Sequence, residues 1–187
     1  MKTLQFIMII VLTTTSLLAQ PREGKKKELS ISGSFQNFSS GSSSNSSAAL
    51  HTSVRLGFFV KGGFELEPEV LLMISSGADP VYVLNGNVSY NFISAGKGVP
   101  FLLIGYGFAN TVPFLNIPFM KTDFGIGVLN IGFGVKGFLS EDVALRFEYR
   151  YQRFTGQGRT IGYGYYSYTQ KIDTRIHTVQ FGFSVLL

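Results

Sequence analysis

Cysteine and tryptophan are both absent from this chain of 187 residues, and charged residues make up only 14% of it. Without cysteine, no disulfide framework, thiolate metal site or lipoprotein anchor can form. A soluble domain carries about 25% charged residues, so the shortage of charge argues against an ordinary water-soluble fold. Hydrophobic residues reach 45%, which excludes an intrinsically disordered chain.

The longest hydrophobic run lies at the N-terminus and is itself short. Lys2 gives a positive start, residues 4–12 form a short apolar region apart from Gln5, and residues 13–19 are small residues and leucines that lead to a cleavage site. A membrane-spanning helix needs about 20 apolar residues, so this run is too short to be an anchor. We predict a signal peptide over residues 1–19, cleaved after Ala19, and therefore an exported protein. No later segment offers a spanning helix.

The positive charge of the chain is spread thinly. The net charge is +5, and much of the excess lies in the first 27 residues. A basic chain can bind nucleic acid, but the scattered bases form no cluster that would support this function. We therefore expect no nucleic-acid partner, and an anionic membrane surface is the better candidate.

Beyond the N-terminus, hydrophobic residues recur with a period of two, which is typical of β-strands. We predict a periplasmic tail at residues 20–28 and then eight strands with alternately long and short connections. Outer-membrane barrels have short periplasmic turns and longer external loops, and this alternation fits them if the N-terminus lies in the periplasm. The predicted strands cover approximately residues 29–38, 50–60, 64–74, 81–92, 101–110, 125–138, 143–154 and 174–187.

Each predicted strand has one face of large apolar side chains and one face of small, amide or charged side chains. In the third strand, Leu66, Val70 and Leu72 alternate with Glu65 and Glu67. The apolar faces are too bulky for the interior of a small barrel, so we expect them to point outward, toward lipid. Only a closed barrel satisfies the backbone in lipid, and side chains just fill an eight-stranded barrel. We predict an all-β, eight-stranded antiparallel transmembrane β-barrel over residues 29–187; a soluble or secreted β-sandwich is the alternative.

Charged residues on the predicted inner faces balance one another, with four acids and four bases. A turn centred near Gly62 places Arg55 opposite Glu69, and the third and seventh strands lie on opposite walls of the barrel. We therefore predict that a self-neutralising network plugs the lumen. A cation site or proton relay and a narrow passive channel for small solutes are the alternatives. The network residues are Arg55, Glu65, Glu67, Glu69, Lys136, Arg146, Glu148 and Arg150.

Two segments resemble a known family. Residues 132–151 combine a Gly-rich strand, an acidic turn and an aromatic strand, which resembles a hairpin of the small outer-membrane β-barrel proteins of the OmpA/OmpX type, often labelled porin-like. The C-terminal segment resembles the signal read by the barrel-assembly machinery, although the family usually ends in Phe or Trp rather than Leu; its alternate apolar residues are Val179, Phe181, Phe183, Val185 and Leu187. The resemblance implies an integral outer-membrane protein with that machinery as a partner. It specifies architecture more than function.

One arrangement resembles a catalytic pair. His51-Thr52-Ser53, with Glu65 as a candidate acid, resembles the residues that a lipid A deacylase barrel would use. The same turn, however, places Ser53 opposite residue 71 and Glu65 opposite Phe59, so the acid is poorly placed. We predict a non-enzymatic protein without a cofactor or metal. A membrane-embedded lipid-modifying enzyme is the least favoured alternative.

The predicted external loops lie at residues 39–49, 111–123 and 155–172; the first is Ser-rich, and the other two, with their flanking residues, carry aromatic residues and bases. Arginine binds phosphate bidentately and tyrosine favours a membrane interface. We therefore expect contacts with outer-membrane lipids, including the head groups of lipopolysaccharide. An extracellular protein or glycan is the competing partner, and the Tyr-rich last loop is either an adhesive surface or a hairpin rising above the membrane. The candidate lipid contacts are Arg153, Arg159 and Arg175.

Overall fold

Eight antiparallel strands close into a barrel in which each strand pairs with the next and the last pairs with the first. The computed structural model describes residues 26–39, 46–60, 62–76, 78–92, 97–113, 125–161 and 167–187. The predicted fold class is therefore confirmed, whereas the predicted signal peptide lies outside these residues. The strands are β1 (Lys27–Ser39), β2 (Ser46–Phe59), β3 (Phe64–Ser75), β4 (Val81–Asn91), β5 (Gly98–Ala109), β6 (Ile126–Phe138), β7 (Val143–Ile161) and β8 (Ser167–Leu186).

The barrel is apolar outside and polar over much of its inside, as predicted from the alternating faces. In β4, Leu84 is 51% exposed on the outer face, while Asn87 is 2% exposed on the inner face. Successive side chains of a strand point to opposite faces, so this pattern continues along the strand. Among the described residues no helix is long and apolar enough to cross a membrane.

A tight turn between β2 and β3 sets the register that the charged residues depend on. Gly62 and Gly63 adopt φ angles of 74° and 84°, a region that residues with a Cβ rarely enter. The turn is closed by a hydrogen bond of 2.8 Å from the Val60 amide to the Phe64 carbonyl. The predicted register is confirmed, because Arg55 lies opposite Glu69, Ser53 opposite Leu71 and Phe59 opposite Glu65.

The two ends of the barrel differ in their connections. We call the end that holds Val60 with Gly62, Phe92 with Lys97, and residues 139–142 the turn end, and the opposite end the loop end. At the loop end, the predicted first and last loops are both too long. β1 continues to Ser39 and β2 begins at Ser46, while β7 and β8 remain paired up to Ile161 and Ser167.

The last connection is therefore a long hairpin rather than a loop over residues 155–172. The pairing of β7 with β8 continues without a break through most of this stretch. Backbone pairing reaches Tyr168, whereas Tyr163, Tyr165 and Tyr166 lie outside the described residues. A hairpin rising beyond the barrel was one of the two predicted alternatives.

The N-terminal strand also begins earlier than predicted. Lys27 and Glu28, assigned from the sequence to the tail at residues 20–28, belong to β1. Their lysine-rich context suggested a solvated segment, but Lys27 exchanges backbone hydrogen bonds of 2.9 and 3.4 Å with Leu187. This pairing turns the Glu28 side chain into the barrel.

The seam that closes the barrel is short. Besides the Lys27–Leu187 hydrogen bonds, β1 and β8 pair over six positions, from Glu28–Leu186 to Gly33–Phe181, and among the described residues the pairing ends there. Gly182 allows the close approach, because a Cβ there would lie 2.3 Å from the Ile31 carbonyl oxygen. We call the space between β1 beyond Gly33 and β8 before Phe181, where no described residues of the two strands pair, the notch.

Replacing Gly182 by Ala should weaken this closure. The added methyl group would overlap the β1 backbone, and overpacking of this kind costs about 1–3 kcal/mol. We expect the folded band on a semi-native gel to convert to the unfolded band at a lower temperature. The control is Gly137→Ala, where the nearest atom would lie 4.0 Å from the new Cβ. Equal behaviour of the two variants would show that the seam does not limit stability.

Candidate functional site

The interior of the barrel is the densest collection of chemically active groups in the described structure. Nine charged side chains point into it, and each is at most 3% exposed. The eight predicted residues all lie there, and Glu28 joins them, which changes the balance to five acids and four bases. The sequence did carry a signal for Glu28, since it begins the alternation that continues with Ser30, Ser32 and Ser34 on the inner face.

Glu69 on β3 is the centre of the network. Its carboxylate accepts hydrogen bonds from Arg55 Nε at 2.7 Å and from Arg150 NH1 at 2.7 and 2.9 Å. The side-chain amides of Asn85 and Asn87 each donate to Glu69 Oε2 at 3.0 Å. A buried carboxylate is tolerated only when it is paired and hydrogen-bonded, and here four donor residues meet that requirement.

The ion pairs cross the lumen and join opposite walls. Arg146 of β7 donates to Glu67 of β3 at 3.0 Å, and Arg55 of β2 donates to Glu148 of β7 at 2.7 Å. Glu148 also accepts from Arg150 at 2.7 Å. The side chains of the third and seventh strands thus meet in the lumen, as their positions on opposite walls predicted.

Lys136 closes the network at the turn end. Its ammonium group lies 2.6 Å from Glu28 Oε2 and 2.7 Å from Glu65 Oε2. The ring of Phe101 lies against the same cluster, with its centroid 5.7 Å from Lys136 Nζ and 4.3 Å from the guanidinium carbon of Arg146. Charged and aromatic groups therefore fill this end together.

Toward the loop end the interior becomes apolar, contrary to the expectation of small, amide or charged side chains along the whole inner face. Between the two layers, Asn130 bridges Gln152 and Asn85 through hydrogen bonds of 2.8 and 2.9 Å. The continuous apolar run at residues 70–74 was a usable signal, because it places hydrophobic side chains on both faces of β3. The apolar layer consists of Leu71, Met73, Val81, Val83, Ala109, Val112, Ile126, Val128, Phe154, Ile172 and Ile176.

Val112 connects this layer to the fifth connection, predicted at residues 111–123. Val112 and Pro113 are buried, so the described start of that connection turns inward over the barrel mouth. Residues 114–124 lie beyond the part of the chain that the structure describes.

His51 and Ser53 both point inward, but the structure does not bring Glu65 to them. Ser53 Oγ lies 2.8 Å from Ser32 Oγ and 3.3 Å from an amino group of Arg55. His51 lies opposite Met73, at the far end of β3 from Glu65, which pairs with Lys136. These residues therefore form no Ser-His-acid arrangement.

On the outer face, the candidate lipid-binding arginines have different surroundings. Arg153 holds Asp173 through two hydrogen bonds of 2.8 and 2.7 Å, whereas Arg175 lies 3.9 Å from the same carboxylate. Arg159 belongs to β7, but its side chain lies outside the described part of the chain. Below these charges, Tyr149 Oη lies 2.6 Å from His177 Nδ1.

Two solved structures share this architecture. No protein-family model matches the sequence, and no curated protein matches it. The structure of Neisserial surface protein A is similar, with a TM-score of 0.60 and 16% identity over 86% of this chain and 96% of that chain. A structure from the de novo design of transmembrane β-barrels is also similar, with a TM-score of 0.51 and 13% identity over 91% of this chain and all of that chain. These likenesses show the fold, a transmembrane β-barrel.

Removing Arg150 should destabilise the barrel strongly. An Arg150→Met variant leaves Glu69 and Glu148 short of donors, and breaking a buried ion pair costs about 3–5 kcal/mol. We expect a large drop in the denaturant concentration at which the barrel unfolds in lipid vesicles. The control is Arg175→Met, which removes an exposed arginine and should shift the midpoint little. A similarly small shift for Arg150→Met would contradict the structural role of the network.

Proposed function

We propose that this protein is an integral outer-membrane barrel with a closed lumen, which acts through its structure and its external surface. The observation that carries this proposal is the filled interior. Nine buried charged side chains are paired around and across it, and an apolar layer covers them toward the loop end. The proposed function is thus neither that of an open pore nor that of an enzyme.

The filling of the lumen opposes conduction at two levels. A hydrated solute would have to separate ion pairs such as Arg146–Glu67, which leaves charges unpaired in a low-dielectric interior. It would then have to cross a layer lined by Leu71, Val83 and Phe154, which offers no hydrogen bonds to water. A narrow passive channel is the second candidate, and it would require both layers to open.

Three features support the proposed location and orientation. The outer face is a band of large apolar side chains, the fold is that of transmembrane barrels, and the sequence predicts a signal peptide. We propose that the turn end, with the N-terminus, faces the periplasm, because outer-membrane barrels have their short turns there. We also propose that the barrel is of the OmpA/OmpX type, which the sequence resembles.

The proposed partners follow from the surface. The outward side chains of β8 alternate to Leu187 and suit recognition by the barrel-assembly machinery. The loop end would face lipopolysaccharide, and an extracellular protein or glycan is the alternative partner for the long β7–β8 hairpin. A non-enzymatic role is supported by the separation of Glu65 from His51 and Ser53 along the strands.

Conductance in planar bilayers tests the closed lumen. The unmutated barrel should show no current or only brief small steps, because its ion pairs fill the lumen. An Arg146→Ala/Arg150→Ala variant should conduct more, since the unpaired acids would recruit water. The matched control, Arg153→Ala/Arg175→Ala, removes two arginines from the outer face and should leave the current unchanged. Large steady conductance of the unmutated protein would favour the channel instead.

Labelling of whole cells tests the orientation. Because the chain has no cysteine, single cysteines can be introduced at Asp79, at the loop end, and at Lys97, at the turn end. A membrane-impermeant maleimide should label Asp79→Cys on intact cells and label Lys97→Cys only after lysis. The reverse pattern would mean that the barrel lies the other way round.

A further inference from the structure

Along the notch, none of the described residues pairs with the edge of β8. The register with β1 ends at Gly33–Phe181, although β1 continues to Ser39 and β8 extends back to Ser167. An open strand edge presents a row of backbone N–H and C=O groups, and these groups require hydrogen-bond partners. Within the described part of the chain, the edge of β8 at the notch is therefore a set of donors and acceptors that β1 does not occupy.

The alternation along β8 identifies which residues present these groups. Leu187 exchanges backbone hydrogen bonds with Lys27 of β1, whereas the Leu186 amide bonds to Asp142 on the other side. The β7–β8 register is unbroken from Val143 to Ile161, so the alternation continues along β8. Every second residue back from Leu187 thus directs its backbone toward the β1 side, including Val179, Arg175 and Lys171.

The notch begins where the apolar band ends. Phe183, Phe181 and Val179 are exposed on the outer face of β8, and the outward positions beyond them are occupied by His177 and Arg175. On β7, Tyr149 and Tyr151 lie beside His177, with ring centroids 6.0 and 5.1 Å from it. Such a belt of aromatic side chains marks the boundary between the hydrocarbon and the head groups. The open edge therefore lies at the level of the lipid head groups.

The charge beside the notch is positive. Arg153 and Asp173 neutralise each other through their bidentate pair. The side chain of Arg175 is 62% exposed, and Lys171 is exposed on the same face two positions beyond Asp173. Of the three arginines expected from the sequence to contact lipid, Arg153 is already engaged, and Lys171 adds a cation that was not among them.

We propose that the notch binds the phosphate-bearing head group of an outer-leaflet lipid, which in the proposed location is lipopolysaccharide. Arg175 and Lys171 supply positive charge, and the backbone amides of the β8 edge supply further donors to the phosphate oxygens. Phe35 and Phe181, each 64% exposed, flank the notch and suit contact with the acyl chains. The inference rests on the proposed function for its orientation, because the loop end must face that leaflet.

The main test compares charge variants in lipid. Folded protein is reconstituted into phosphatidylcholine vesicles with and without lipopolysaccharide, and the unfolding temperature is measured over a range of lipopolysaccharide fractions. Lipopolysaccharide should stabilise the unmutated barrel. An Arg175→Gln/Lys171→Gln variant should need about tenfold more of it for the same shift, as expected when charge-assisted hydrogen bonds are lost. Unchanged stabilisation of this variant would overturn the proposal.

Two further variants sharpen the comparison. Lys26→Gln/Lys97→Gln makes the same change of charge at the turn end and should respond like the unmutated protein; an equal loss there would overturn the assignment of the site. Asp173→Asn removes the acid and frees Arg153, so it should strengthen the response.

Two lipid controls use the unmutated protein. If dephosphorylated lipopolysaccharide, or inorganic phosphate added to vesicles of phosphatidylcholine alone, stabilised the barrel as much as lipopolysaccharide does, the proposal would also be overturned.

Proline substitutions test the open edge independently. Val179→Pro removes an amide that faces the notch, and proline is tolerated on an open strand edge. This variant should fold and respond less to lipopolysaccharide. Val185→Pro removes an amide where β8 pairs with Leu29, and it should fail to close the barrel. If Val179→Pro also fails to close, the edge is paired and the notch does not exist. If the folded variants also conduct poorly in planar bilayers, the closed-lumen proposal stands whatever the outcome of the lipopolysaccharide test.

Discussion

The convergence of Arg55 and Arg150 on Glu69 holds the barrel together from within. The two arginines come from different walls of the barrel. An unpaired buried charge is costly, so the Glu69 carboxylate and the two guanidinium groups depend on one another. Closing the ring of strands and filling its centre are consequently one physical problem. The strands can close only at a diameter at which β2, β3 and β7 bring these side chains to hydrogen-bonding distance. The short β1–β8 seam suffices because Glu28, at its base, is bound to Lys136 from across the lumen.

Much of this arrangement was predictable from sequence because two simple rules govern it. The period of two assigns each side chain to a face, and the Gly62–Gly63 turn sets the register of β2 and β3. Together these rules place Arg55 beside Glu69. The position of strands three and seven on opposite walls then brings Glu67 near Arg146. Local rules therefore predict the charged layer as soon as the number of strands is known.

Other features depend on contacts that local rules do not describe. Glu28 follows three lysines and was assigned to the tail, although it begins the alternation of the inner face of β1; pairing with the C-terminal strand places it there. The apolar layer was missed because inward positions were expected to be polar along their whole length, whereas β3 changes from Glu69 to Leu71 and Met73. The pair of Arg153 and Asp173 joins residues on two strands of a hairpin whose length was underestimated. Each of these misses concerns partners that are distant along the chain.

The shared carboxylate of Glu69 also has an evolutionary consequence. A single substitution at position 55, 69, 148 or 150 removes a partner from several side chains at once. Most sequences that lie between two well-folded variants of this network should therefore fold poorly. Substitutions in this group should therefore be tolerated as sets, with strong epistasis between residues far apart in sequence. Outward residues of the apolar band away from the notch and β8 need only remain apolar, so they are free to drift one at a time. The barrel thus combines an interior that changes slowly and in concert with an exterior that can diverge until little sequence identity remains.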